Sequence, residues 1–320
     1  MQGPISRRQI LGWAGSVLVA PMLGACTAPV PPMRVGSIVF PGYEPMFLAR
    51  ESGLLDERRV RLVEMLANTD TLRALAVEQL DAAAMTLDEM MTARADGIDM
   101  RAVLVFDASE GADVVLAKPG LSLERLRGKR VAVEDGAMGA VMLNALLKAA
   151  GLQVTDINKV PMTLDRSEEL YANGKADVVV TAEPWAARLE KTGAQRIFDS
   201  AAIPGRIVDV LAVRADALQR HAASLRYLLV GFFAAQKMML DAPGRASGLL
   251  AARLQTPPDE VMGLYRGLRL PDLADNRQML ARGGAVDVTS QELQKLMLEA
   301  GLLPQNSVLQ DLTDARYLPV

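Results

Sequence analysis

Val77-Glu78-Gln79-Leu80-Asp81-Ala82-Ala83-Ala84-Met85-Thr86-Leu87-Asp88-Glu89 is the stretch whose reading decides the fold. A helix predicted over 71–78 stops there, and Asp81 opens a short apolar run to Met85. Thr86 with Glu89 three residues later has the spacing of a capping box, so a new helix begins at once. An apolar run without alternation, set between two helices, reads as a strand covered on both faces, the unit of an α/β fold.

The same grammar extends in both directions. Upstream, strands are predicted at 34–39 and 60–65, with a helix over 44–52 that stops near Gly53. Downstream, Met100 to Phe106 gives another strand. After Pro119 the pattern restarts: a short helix from Ser122 to Gly128, a strand at 130–134, a helix over 136–150 stopped by Gly151, a helix over 165–172 and a strand at 177–181. The stretch Ala172 to Val180 repeats the type of Val77 to Met85, with a helix end, an aspartate (Asp177) and an apolar strand. A carboxylate follows each strand, Asp88 in one copy and Glu183 in the other. Any βαβ unit produces some such rhyme, but two facing units are also what a two-lobed clamp needs.

Beyond Arg206 come a strand over 207–213 and helices over 225–240, 246–254 and 291–298, read as the chain returning to cover its first lobe. The predicted organisation is a first lobe from residues 34–113 and 208–320 and a second from 114–207, with mainly parallel sheets. Crossings near 113–118 and 208–213 would form a two-strand hinge.

The N-terminus has a different logic. Arg7 and Arg8 precede a mostly apolar run from Ile10 to Leu23, the layout of an export signal over residues 1–25. That run is shorter than the ~20 residues needed to span a bilayer. The twin arginine resembles a twin-arginine export signal, with Ile10 and Gly12 departing from its usual pattern. Leu23-Gly24-Ala25-Cys26 ends the leader, and Cys26 is the only cysteine in the chain. A lone thiol forms no internal disulfide; here it reads as the lipidation site of a membrane-tethered lipoprotein, with 26–33 as the tether.

Composition narrows the function. The chain has 320 residues, of which 50% are hydrophobic and 23% charged, the profile of a globular protein with a sizeable core. A formal net charge of −3 argues against nucleic acid as a partner. There is a single histidine, His221, in a polar stretch that reads as solvated surface. Ser-His and Cys-His nucleophiles and histidine-rich metal sites are therefore disfavoured, and neither an enzyme nor a cofactor or metal site is expected.

Several segments carry a family resemblance. Gly42-Tyr43-Glu44-Pro45-Met46-Phe47-Leu48-Ala49 with Gly53-Leu54, then Gln79-Leu80-Asp81-Ala82-Ala83, Leu126 to Val133, and Thr181-Ala182-Glu183-Pro184-Trp185 occur in family order. Together with the lipobox they resemble the nitrate/sulfonate/taurine-type (NMT1-like) solute-binding proteins of ABC importers, over about residues 34–215. The resemblance implies the type II periplasmic binding fold, with a small ligand enclosed between two α/β lobes. It also implies a monomer outside the cytoplasm whose partner is an ABC permease with a cytoplasmic ATPase. A sensor subunit on the same fold, or an enzyme related to thiamine pyrimidine synthases, stays open as an alternative.

Ligands of open α/β sheets bind beyond the carboxyl ends of strands. That rule selects Tyr43 and Glu44, Asn68 and Thr69, Thr86 and Asp88, and Ser109 and Glu110 from the first lobe. From the second it selects Gly136, Ala137 and Met138, with Gly139 beside them, and then Glu183 and Trp185. Tyr43 and Trp185 would wall the pocket, though Trp185 suits the core equally. Acids dominate these loops and Lys and Arg are missing from them, which favours an amine, zwitterionic or cationic solute over an inorganic anion.

Overall fold

The two sheets of this protein share one strand pattern, as the repeat in the sequence demands. The computed structural model describes residues 30–304 and 310–320. Cys26 and the leader lie outside the described residues.

In the first sheet β1 (Met33–Ser37) pairs in parallel with β2 (Val60–Glu64) and β3 (Ala82–Thr86), and β4 (Met100–Ser109) follows. The chain then builds a second sheet from β5 (Val114–Ala117), β6 (Arg130–Glu134), β7 (Asn158–Met162), β8 (Val178–Thr181) and β9 (Gln195–Asp199). It returns as β10 (Val208–Arg214), and the short β11 (Leu268–Arg269) lies at the far edge. The orders are β2-β1-β3-β10-β4-β11 and β7-β6-β8-β5-β9.

These sheets are mixed, where mainly parallel ones were expected. The strand inserted fourth in each order, β10 or β5, has just arrived from the other lobe and runs antiparallel to both neighbours. The physical reason is simple: a crossing chain enters at the edge where the other strands end, so it must run backward.

The repeat has an electrostatic counterpart. Arg34 donates to Asp81 through its backbone N–H (2.8 Å), Nε (3.0 Å) and Nη2 (3.0 Å). Arg130 does the same to Asp177, at 3.1, 2.9 and 2.6 Å. In both lobes the arginine sits at the start of the central strand and the aspartate just before the third. The aspartate that opens each apolar run thus clasps two strands in register, through charge-assisted bidentate bonds.

Helices cover both sheets. The first lobe carries α1 (Glu44–Glu51), α2 (Asn68–Ala76) and α3 (Leu87–Ala95); the second carries α4 (Ala137–Ala150), α5 (Ser167–Ala172) and α6 (Trp185–Lys191). The returning chain adds α7 (Ala215–Arg220), α8 (Ala222–Asp241), α9 (Pro243–Leu254), α10 (Leu273–Met279) and α11 (Ala285–Glu299) to the first lobe. The capping box of α3 forms as the sequence predicts, with the Glu89 carboxylate accepting from the Thr86 N–H at 3.1 Å. Among the described residues no helix is long and apolar enough to cross a membrane.

His221 departs from expectation. It is 3% exposed, between α7 and α8, with Nε2 3.7 Å from Asp81, and not solvated surface. The polar run around it holds Arg220, which reaches the same carboxylate at 3.2 Å; the polarity belongs to an ion cluster around the buried Asp81.

Candidate functional site

Between the lobes, an aromatic stack fixes one wall. Phe40 ends the loop after β1, and Pro41–Tyr43 turns into α1. The Phe40 and Tyr43 rings lie 5.1 Å apart, Tyr43 and Phe106 of β4 5.2 Å, and Phe106 and Phe232 of α8 5.4 Å. Edge and tilted contacts of this kind lock ring orientation. They aim the Tyr43 hydroxyl at Asp209 of β10, to which it donates a hydrogen bond.

Asp209 stands in a row of three. Strand register sets it opposite Asp107 of β4 on one side and Thr86 of β3 on the other. Two acids directly opposed across strands are a destabilising choice when both are ionised. Both are buried, and no N–H donates to either Asp107 oxygen among the described residues. Burial above all, and then the neighbouring carboxylate, drives Asp209 well above the ordinary carboxylate range. Asp107 is pushed up to about 8, chiefly by burial. The pair therefore holds a proton at neutral pH.

Gly42 makes room for this pair. A Cβ at that position would lie 1.8 Å from Asp107 Oδ2, so only glycine admits the carboxylate there. A third acid, Asp113, comes from the crossing between β4 and β5. Its N–H donates to Ser109 Oγ (3.1 Å), and Ser109 in turn meets Ser200 Oγ (2.7 Å) at the return crossing. Backbone bonds from Ser109 N to Ile207 O (3.0 Å) and Ser200 N to Asp113 O (2.9 Å) tie the two crossings together. Asp113 is 4% exposed, its Oδ2 is unpartnered, and burial pushes it up to about 6.

These groups meet at a cavity of about 20 Å³, room for a single water. The polar lining is Tyr43, Asn68, Thr86 and Asp209 from the first lobe and Asp113 from the crossing. Ile38 and Phe40 face Met138, Leu164 and Ala182 of the second lobe. Asn68 donates both Nδ2 bonds to Glu89, at 3.1 and 2.9 Å, which leaves its Oδ1 unpartnered. No Lys or Arg is among the lining residues.

Of the residues selected from sequence, Tyr43, Asn68, Thr86 and Met138 line the cavity. Thr69 is half-buried in the first turn of α2 beside Asn68. Gly136 precedes α4 and faces the first lobe, with Glu89 Oε1 3.6 Å from where a Cβ would stand; Ala137 is the first residue of α4.

The others belong elsewhere. Glu44 is fully buried but bonded to Arg253 of α9 at 2.9 Å; it ties α9 to α1. Asp88, 1% exposed in the first turn of α3, is not among the lining residues; its Oδ2 is unpartnered and burial pushes it up to about 6. Ser109 shapes the crossing without lining the cavity. Glu110 is exposed and pairs with Arg269 at 3.4 Å. Glu183 accepts from the Ala187 N–H at 2.8 Å and caps α6. Trp185 is buried in the apolar core, and Ala182 takes its place in the cavity wall. Gly139 serves packing: a Cβ there would sit 2.2 Å from the Glu134 carbonyl of β6.

Sequence reasoning missed Ile38, Phe40, Asp113, Leu164, Ala182 and Asp209 in the lining, and Asp107 behind it. For Asp113 and Asp209 a signal existed, since each is an acid at one of the two predicted crossings. Asp107 sits inside an apolar run and gave none.

Comparison with known proteins follows the same lines. Residues 27–252 match the model of the NMT1-like family. The putative aliphatic sulfonates-binding protein of Escherichia coli K12 is 26% identical over 220 residues, 66% of this chain and 69% of that one. The alkanesulfonate-binding protein SsuA of Xanthomonas axonopodis pv. citri, solved with MOPS, superposes with a TM-score of 0.71 at 18% identity, covering 88% of this chain and 97% of that one. The desulfurization enzyme DSZB matches with a TM-score of 0.62 at 17% identity over 89% and 97%. The architecture is thus the periplasmic binding protein fold, and that fold also serves an enzyme.

Proposed function

This chain belongs to the NMT1-like family, and we propose on that footing that it is the solute-binding lipoprotein of an ABC importer. It captures a small organic solute of the sulfonate, taurine, amine or thiamine-precursor class between its lobes and delivers it to the permease without chemical change. Cys26 carries the lipid that holds it at the outer face of the membrane.

The observation that carries this reading is the cavity itself. Its walls come from both lobes, and its polar residues follow β1, β2 and β3 or lie on the crossing and on β10. A solute touching both lobes binds the closed form better than the open one and so draws the lobes together. The paired crossings at 110–113 and 200–207 are where rotation is easiest, since few backbone bonds must change. Catalysis finds little support here: His221, the only histidine, lies beside Asp81 and away from the cavity.

The test is a thermal-shift screen of the chain from Thr27 onward against amines, sulfonates, amino acids and thiamine-like pyrimidines. A binder at 100 times its Kd stabilises by about 2.7 kcal/mol. NMR of the solution after incubation should return the binder intact; its conversion to product would make the protein an enzyme. In cells, Cys26→Ser is expected to move the protein from the membrane to the soluble exported fraction.

A further inference from the structure

We infer that the solute held in the cleft carries a positive charge, with Asp113 and Asp209 as its counter-charges and Asn68 Oδ1 as a hydrogen-bond acceptor. This rests on the binding reading above and names the class of ligand that the site selects.

The lining's donors are spent: the Tyr43 hydroxyl on Asp209, and both Asn68 amide bonds on Glu89. Among the residues lining the cavity, what stays unspent is acceptor: Asn68 Oδ1 and Asp113 Oδ2, joined by the carboxylate of Asp209 and by the Thr86 hydroxyl, which plays either part. A buried polar atom without a partner costs about 1–3 kcal/mol, so a cavity of acceptors is completed by a ligand of donors. An ammonium or amidinium group supplies donors and charge together.

Facing Asp107 and Asp209 are Tyr43 from the turn before α1, Asp113 from the crossing and Tyr265 from the segment after α9, with Glu89 of α3 acting on Tyr43. Glu44 and Asp88 add acids farther off, the first neutralised by Arg253. None of the side chains facing the pair is a cation. In a site built for sulfonate or nitrate, buried acids would have to stay protonated and act as donors; in a site built for a cation, they ionise when it arrives. The proton shared by Asp107 and Asp209 then leaves to solvent as the ligand's charge replaces it.

The two alternatives differ in the sign of their pH dependence, and calorimetric titration between pH 5.5 and 8.5 reads it. The probes are ethanolamine, choline, putrescine and agmatine against methanesulfonate, ethanesulfonate and nitrate, with the chain from Thr27 onward. The expected result is that a cationic probe binds, tightens as pH rises, and releases protons, seen as a heat that varies with the buffer's ionisation enthalpy. Asp113→Asn and Asp209→Asn should each weaken it by about thirtyfold or more and flatten the pH slope. Both variants should also melt higher than the parent above pH 7 when ligand-free, because a neutral amide replaces an acid that burial disfavours; a merely structural aspartate would melt lower. Binding of an alkanesulfonate or nitrate that tightens as pH falls, and survives both variants, overturns the cationic class while leaving the binding function intact. A protein that binds neither set overturns both.

Discussion

Asp209 shows how one side chain ties fold to function. It lies on the strand that returns from the second lobe, pinned by Tyr43, and opposed by Asp107 across the ladder. Such an arrangement lowers stability, which is the usual mark of a residue kept for a site. It also makes stability depend on pH. The unperturbed aspartate value is 3.8, and the folded values rise to about 6 for Asp113 and about 8 for Asp107. A raised folded value favours the protonated native state, so this contribution is full below pH about 4 and is lost as pH rises through the folded values. The ligand-free protein is therefore expected to melt several degrees lower at pH 8.5 than at pH 5, and Asp107→Asn should shrink that difference. Melting curves across this range check it; a melting temperature that climbs from pH 5 to 8.5 would contradict it.

Among the elements, β3 and β8 carry the repeat. Each is opened by an aspartate clasped by an arginine from the central strand. The two clasps differ in burial: the Asp81 side chain is 3% exposed and that of Asp177 is 19%. Asp81 also serves Arg220 and lies against His221, so its loss strands more charge. Asp81→Asn is expected to cost about 3 kcal/mol and Asp177→Asn about 1 kcal/mol, measured by urea unfolding; equal costs would mean that the neighbours of Asp81 contribute nothing. At this scale the sequence was a good guide where apolar runs and caps coincide. The strands β1, β3, β6 and β8 and the capping box at Thr86 were legible for that reason. Strands β5, β7 and β9 were not: β7 and β9 lie at sheet edges with polar, exposed residues, and β5 was read only as a crossing. The site followed the same division. Loops after strands gave Tyr43, Asn68, Thr86 and Met138, whereas Glu44 and Glu183 look identical in sequence to ligand-facing acids until their partners Arg253 and Ala187 are seen. Those partners are distant in the chain or lie on the backbone, and no local pattern announces them.

At the scale of the whole molecule, two lobes joined by a pair of crossings are expected to close on a charged guest. The 20 Å³ left between the lobes is too small for an organic solute, so entry requires opening. A chain from Thr27 onward contains no cysteine, which allows one label to be placed on each lobe without interference. Val77 beside α2 and Val154 after α4 are 64% and 53% exposed and belong to different lobes, so Val77→Cys and Val154→Cys with spin labels leave the cores untouched. Pulsed electron-electron distance measurement between them, with and without the tightest-binding probe, tests the claim most directly. A broad, longer distribution should collapse to a single shorter distance when the probe binds. A distance unchanged by a ligand that calorimetry shows to be bound would contradict the account.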